Sequence, residues 1–113
     1  MQSVVSDSFL DPDFPGTGRY LWRPGTGRLE WSAGLLEIFG RDTPPQSEAE
    51  FLSCVHPADR TRVEGETEGF LTGDTDRFSH HFRILRPDGT LRYLLDRGLI
   101  ERDSAGRVVA IHG

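Results

Sequence analysis

"HFRILRPDGTLRYLLDRG", residues 81–98, is the stretch whose reading decides the fold. Two runs rich in aromatic and branched residues flank Pro87-Asp88-Gly89, and Asp-Gly is a favoured hairpin turn. The stretch therefore reads as two long antiparallel strands, roughly 76–86 and 90–102. A third strand, 107–112, follows a second turn sequence, "RDSAG". Along 90–102 one stripe holds Leu91, Tyr93, Leu95, Arg97 and Leu99, and the other holds Arg92, Leu94, Asp96, Gly98 and Ile100. Neither stripe is cleanly polar, whereas a sheet with one face in water alternates sharply. The second face is thus expected to be partly covered, by the N-terminal segment, a following helix or another subunit.

Upstream, "RYLWRPGTGRLEWS" places Tyr20–Trp22 and Leu29–Trp31 around a Pro-Gly-Thr-Gly turn, a shorter hairpin. Ser32 stands at an N-cap position before "AGLLEIF", with Leu35, Leu36 and Phe39 on one face and Gly40 as C-cap. Ser47 caps a second short helix carrying Phe51, Leu52 and Val55. "HPADR" opens a third, with proline in its first turn and Asp59 answering the helix dipole. Val63, Thr67, Phe70 and Leu71 keep helical spacing there, and Glu64, Glu66 and Glu68 read as a solvated surface. Strands, then helices, then strands imply an α+β fold with an antiparallel sheet. Residues 1–18 read as a linker or cap, with a short helix over Val4–Leu10, and residues 19–113 as one domain.

The chain has 113 residues, a formal net charge of −5 and a pI near 5.3, which argues against general nucleic-acid binding. It contains arginine but no lysine, which removes Schiff-base chemistry from its own side chains. No apolar run reaches the roughly 18 residues of a membrane span, and the first residues lack the layout of a secretion signal. A single cysteine fits a reducing compartment, so the expected location is cytoplasmic.

Arg83, Arg86, Arg92 and Arg97 raise the question of a phosphate site. Such a site wants a glycine-rich loop feeding a helix N-terminus, and "RPDG" feeds a strand instead. Cross-strand pairing with Asp88, Asp96, Glu101 and Asp103 explains the arginines without a ligand. His80 and His81 are neighbours on a strand, so they point to opposite faces and cannot hold one metal between them. His112 has no second ligand at metal-site spacing, so no metal site is expected. No nucleophile elbow, Walker sequence or Gly-x-Gly-x-x-Gly is present, and no catalytic residue is assigned.

Trp22, "VHPADR", "RPDGTLRY" and "DSAGRVVAIHG", in this order and at these separations, resemble the PAS domains of the bacterial PAS-fold-3 type. The likeness covers about residues 18–113. Tyr93 stands where the family usually has tryptophan, and the family continues beyond the glycine that is Gly113 here into an Asp-Ile-Thr motif and a linker helix. The resemblance implies a five-stranded antiparallel sheet with short helices on one face. It implies a sensory or dimerisation module, most often the input domain of a sensor histidine kinase. A diguanylate cyclase or phosphodiesterase, or a transcriptional regulator, is the alternative setting. A covalently linked effector domain and a second copy of the chain are the implied partners.

The family often holds a small cavity between helices and sheet, sometimes with haem, flavin or a metabolite. Candidate lining residues are Leu36, Phe39, Leu52, Val55, Val63, Phe70, Phe82, Ile84 and Leu94, which would equally make an ordinary packed core. No cofactor is assigned, although an unidentified small molecule would fit. Cys54 lies in "FLSCVHP", not in the cysteine motif of light-sensing relatives, and the chain has no asparagine for flavin contacts. His56 could in principle ligate haem, but with Pro57, Asp59 and Arg60 it reads as structural, as do Arg86, Asp88 and Gly89 in the turn. Tyr93, Leu95 and Leu99 form a candidate dimer face. A reading of another class is a small α+β enzyme with Asp96 or His81 as an acid–base group in the cavity.

Overall fold

The computed structural model describes residues 12–113; the segment expected to carry the Val4–Leu10 helix lies outside them. Strands β1 (Tyr20–Arg23) and β2 (Arg28–Trp31) form the first hairpin. Three helices follow: α1 (Ala33–Phe39), α2 (Glu48–Cys54) and α3 (Arg60–Thr72), the last entered through a 3₁₀ turn at Pro57–Asp59. Strands β3 (Arg77–Leu85), β4 (Leu91–Arg102) and β5 (Val108–His112) complete one five-stranded antiparallel sheet in the order β2-β1-β5-β4-β3. The fold is α+β, with the helices against one face of the sheet.

The β3–β4 hairpin forms as its sequence dictates. Gly89 takes φ 86°, and Asp88 accepts from the Thr90 N–H at 3.0 Å and from its hydroxyl at 2.6 Å. Alternation along β3 then sends Phe78, His80, Phe82 and Ile84 inward, all buried, while Arg77, Ser79, His81 and Leu85 are exposed. Phe39, Val55, Val63, Phe82 and Ile84 make one core cluster. Phe78, Ile100 and Ile111 make a second, with Phe70, Leu71, Tyr20, Trp22 and Val108 packed on it. On β4 the outward stripe is open: Tyr93 is 78% exposed, Leu95 63% and Leu99 50%.

The sheet is incomplete along one side of β4. β5 meets β4 only between Leu99↔His112 and Arg102↔Val108, and it meets β1 at Leu21↔His112 and Trp22↔Ile111. Tyr20 and Gly113 then exchange backbone hydrogen bonds of 2.8 and 3.0 Å. Among the described residues, Leu91–Gly98 of β4 pair with β3 alone.

Of two helix starts with a serine at the N-cap, one departs from simple capping. Ser47 caps α2 as expected, accepting from Glu50 N–H at 3.1 Å. The Ser32 hydroxyl instead accepts from the Arg19 N–H at 2.8 Å, while the Asp13 carboxylate reaches the first turn of α1 and accepts from Gly34 N–H at 2.8 Å. A hydroxyl beside a crossing strand has a competing donor, and a carboxylate from an earlier loop takes over the cap.

"HPADR" is a clasp between helices and sheet. His56 Nδ1 accepts from Ala58 N–H at 3.0 Å, and the His56 N–H donates to the Arg83 carbonyl at 2.8 Å. Arg60 donates to the carbonyls of Val55 (2.9 Å) and Ser53 (3.1 Å), closing the end of α2. Asp59, buried, accepts a two-pronged pair from Arg83, Nε at 3.0 Å and Nη2 at 2.6 Å, and the Arg83 backbone N–H at 2.9 Å. Arg83 thus pairs with the start of a helix, not with the neighbouring strand as expected, because a fork-shaped donor is matched best by a fixed carboxylate. Arg86 likewise reaches across to the Glu37 carbonyl (3.3 Å) at the end of α1.

The Arg83 guanidinium and N–H hold the Asp59 carboxyl far below the usual carboxylate range. A depressed folded-state value means that the pair stabilises the fold above the unfolded carboxylate pKa of about 4, and that this is lost as pH falls below it. Denaturant midpoints measured from pH 6 downward should therefore fall steeply in the native chain below about pH 4. Asp59→Asn should start less stable and show a flatter acid limb. Parallel acid limbs would remove Asp59 as a principal source of acid sensitivity.

Candidate functional site

A cavity of about 610 Å³ lies between the inner face of the sheet and helices α1 and α2. Trp31, Leu35, Phe39, Phe51, Leu52, Phe82 and Leu94 give it apolar walls, and Tyr20, Thr67 and Asp96 give it a polar end. The aromatic walls are locked together: Trp31 and Phe39 have ring centroids 4.5 Å apart, and Phe51 stands edge-on to Phe82 at 6.0 Å and 88°. The cavity borders residues of both faces of β4, Leu94 and Asp96 on one and Tyr93, Leu95 and Arg97 on the other, so it opens beside the strand that lacks a second neighbour.

Behind the polar end runs a chain of polar groups. Tyr20 Oη donates to the Asp96 carboxylate, 3.0 and 3.1 Å from its two oxygens. His80 Nε2 lies 3.1 Å from Asp96 Oδ2, and its Nδ1 lies 3.2 Å from Glu66 Oε1. Arg62 Nη1 donates to that same Glu66 oxygen at 2.8 Å. His80 is 7% exposed and collared by the rings of Phe70, Phe78 and Phe82 at 5.2, 6.0 and 5.2 Å. Both ring nitrogens thus face carboxylate oxygens. A neutral imidazole has a single N–H, so satisfying both contacts takes one further proton, on the ring or on a carboxylate. Burial beside Asp96 pushes the Tyr20 phenol well above its usual range, which keeps it a hydrogen-bond donor. The chain ties α3, β3, β4 and β1 together through side chains alone.

Of the lining residues expected from sequence, Phe39, Leu52, Phe82 and Leu94 border the cavity. Val55, Val63 and Ile84 are fully buried and packed against one another instead. Phe70 belongs to the second cluster, and half-buried Leu36 lies outside the lining. Asp96 stands at the cavity's polar end. His81 does not: it is exposed on the outer face, and its neighbour His80 is the inward histidine. Glu66 is a second correction, since it turns toward His80 rather than joining the solvated face of α3. The signal for His80 was present in the alternation Phe78-His80-Phe82-Ile84, a polar residue on an otherwise apolar stripe. Cys54 is half-buried against the first core cluster, with its Sγ 3.6 Å from the Glu50 carbonyl. No helix among the described residues is long and apolar enough to cross a membrane.

Comparison with known proteins places this geometry. The chain is similar to a methyl sulfide methyltransferase-associated sensor of Methanosarcina acetivorans, 30% identical over 63 residues, which is 56% of this chain and 6% of that protein. Among solved structures it resembles a sensory box histidine kinase/response regulator from Burkholderia thailandensis, with 28% identity, a TM-score of 0.69, and coverage of 85% of this chain and 72% of that one. The N-terminal domain of a diguanylate cyclase with a PAS/PAC sensor from Marinobacter aquaeolei superposes with a TM-score of 0.71 at 21% identity, covering 85% and 89% of the two chains, a likeness of fold. The sequence model of the PAS fold matches residues 28–113, from the second strand of the first hairpin through the whole of β5. With that match lying over the five-stranded sheet and its helices, the chain belongs to the PAS fold family, whose members are sensory modules and not themselves catalysts.

Proposed function

We propose that residues 19–113 are the input module of a cytoplasmic bacterial sensor histidine kinase, with residues 1–18 leading into it. A small molecule in the cavity is the signal, and a covalently linked effector domain receives it. The observation that carries this reading is the 28% identity to the Burkholderia sensory box histidine kinase across 85% of the chain. The cavity supports the ligand-sensing part: a sizeable apolar volume with a few convergent polar groups is the usual form of a small-molecule site. Ligand-driven movement of Asp96 would reach α3 through His80 and Glu66, and β1 through Tyr20.

Reading the gene downstream of the Gly113 codon tests the assignment. A histidine kinase core supports it, whereas a cyclase, a phosphodiesterase or a DNA-binding region assigns a different output. A stop codon there overturns the input-domain reading.

The module works as a dimer of identical chains through the outward stripe of β4. Tyr93, Leu95 and Leu99 supply an exposed apolar patch there, of the kind that marks an interaction surface. Sedimentation of the native chain should give a dimer, and Tyr93→Arg, which sets a charge at the centre of the stripe, a monomer of unchanged circular dichroism. Dimers that persist in the variant would reject this face.

A further inference from the structure

We infer that the cavity selects a small apolar molecule with a positively charged, hydrogen-bond-donating head, an amine, and that the head docks on Asp96. This rests on the ligand-sensing reading above and names the class of ligand. The body of such a molecule meets Trp31, Phe39, Phe51 and Phe82, whose rings supply apolar area. Its head meets an end that is built to accept. Asp96 is 18% exposed by side chain, and its carboxylate is oriented by Tyr20 Oη and His80 Nε2. Those two contacts leave lone-pair positions on the carboxylate for a further donor.

Charge points the same way. Behind the cavity Arg62 is paired with Glu66 at 2.8 Å, which leaves Asp96 with the Tyr20 hydroxyl and the His80 ring as its side-chain partners. Among the described residues, the acidic side chains bordering the cavity are Glu48 and Asp96. The arginine there, Arg97, lies on the opposite stripe of β4 from Asp96. An acidic ligand would bring its charge against the Asp96 carboxylate, which among the described residues is met by Tyr20 and His80 and not by an arginine. An ammonium donates to the remaining lone-pair positions of the Asp96 carboxylate, in a partly desolvated site where charge-assisted hydrogen bonds are strongest.

Calorimetric titration of the native chain with three probes of one shape tests this: phenethylamine, phenethyl alcohol and 3-phenylpropionate. Phenethylamine should bind about tenfold or more tightly than the alcohol, as expected where the donor to the carboxylate is itself charged, and the acid should bind weakest. Asp96→Asn should abolish the amine's advantage over the alcohol. If that variant does not fold, intermolecular nuclear Overhauser contacts in the native chain decide the matter. The amine-bearing methylene should contact the Tyr20 ring, and contact with Phe51 instead overturns the assignment. Equal or stronger binding of the acid or alcohol overturns it, as does an amine preference that survives in Asp96→Asn. Failure of all three probes to bind overturns the ligand class too, while the input-domain reading is judged separately by the downstream gene sequence.

Discussion

Ile84→Ala lowers the stability of the domain by about 2–5 kcal/mol, the range for deleting a buried isoleucine side chain down to its methyl. Ile84 is fully buried at the centre of the first cluster, with Val55 and Val63 equally inaccessible around it. Val55 also meets Ile84 through an isolated antiparallel bridge, which fixes the backbone on both sides. A site held this tightly cannot collapse into the space left behind, so the cost belongs in the upper half of that range. Total stabilities of small domains are about 5–15 kcal/mol, so the thermal midpoint should fall by more than about 10 °C. Ile84→Val, which removes one methylene, should cost only about 0.5–1.5 kcal/mol. Equilibrium denaturation of the two variants checks both figures. A cost below about 1 kcal/mol for the alanine variant would show that the cluster is loose and continuous with the neighbouring cavity.

Gly98→Ala is the second change expected to be severe, at about 3 kcal/mol or more, although it adds a single methyl. The added carbon would collide with the carbonyl oxygen of His112, a backbone atom of β5, and lie 2.7 Å from the ring of Phe78. Phe78 is the residue directly opposite Gly98 across β3–β4, and its ring packs over the hydrogen atom that stands in for a side chain. Neither neighbour can yield freely, because His112 pairs with both Leu21 and Leu99. The damage should concentrate where β5 enters the sheet. Amide exchange at Ala110 to Gly113 should quicken far more than at Phe82 to Leu85. Uniform acceleration, or a stability within about 0.5 kcal/mol of the native chain, would contradict this account.

The hairpin at 81–98 and the order of elements were legible because both are local. Asp88-Gly89 demands a tight turn, alternation of period two marks the strands that it joins, and Ser47 and Gly40 close helices within a turn of themselves. Gly40 takes φ 67° at the end of α1, the left-handed cap its position called for. The motifs from "VHPADR" to "DSAGRVVAIHG" carried the resemblance to the family through their order and separations along the chain.

The candidate site is another matter. Alternation puts His80 on the apolar stripe of Phe78, Phe82 and Ile84, but only the packed structure brings a carboxylate to each of its ring nitrogens. Glu66 reads as one of several exposed acids until α3 settles across β3 and sets it 3.2 Å from that ring. Tyr20 and Asp96 are 76 residues apart in the chain and come together because the sheet carries β1 across toward β4. Asp59 and Arg83 are joined across 24 residues by the same closure. The sequence by itself determined the elements and their order, since these depend on turn chemistry and on the periods of strand and helix, and its motifs carried the resemblance to the family. Which polar groups are buried together, and that Gly98 must have no side chain, were decided only by the tertiary structure, because burial and contact are properties of residues that meet in space.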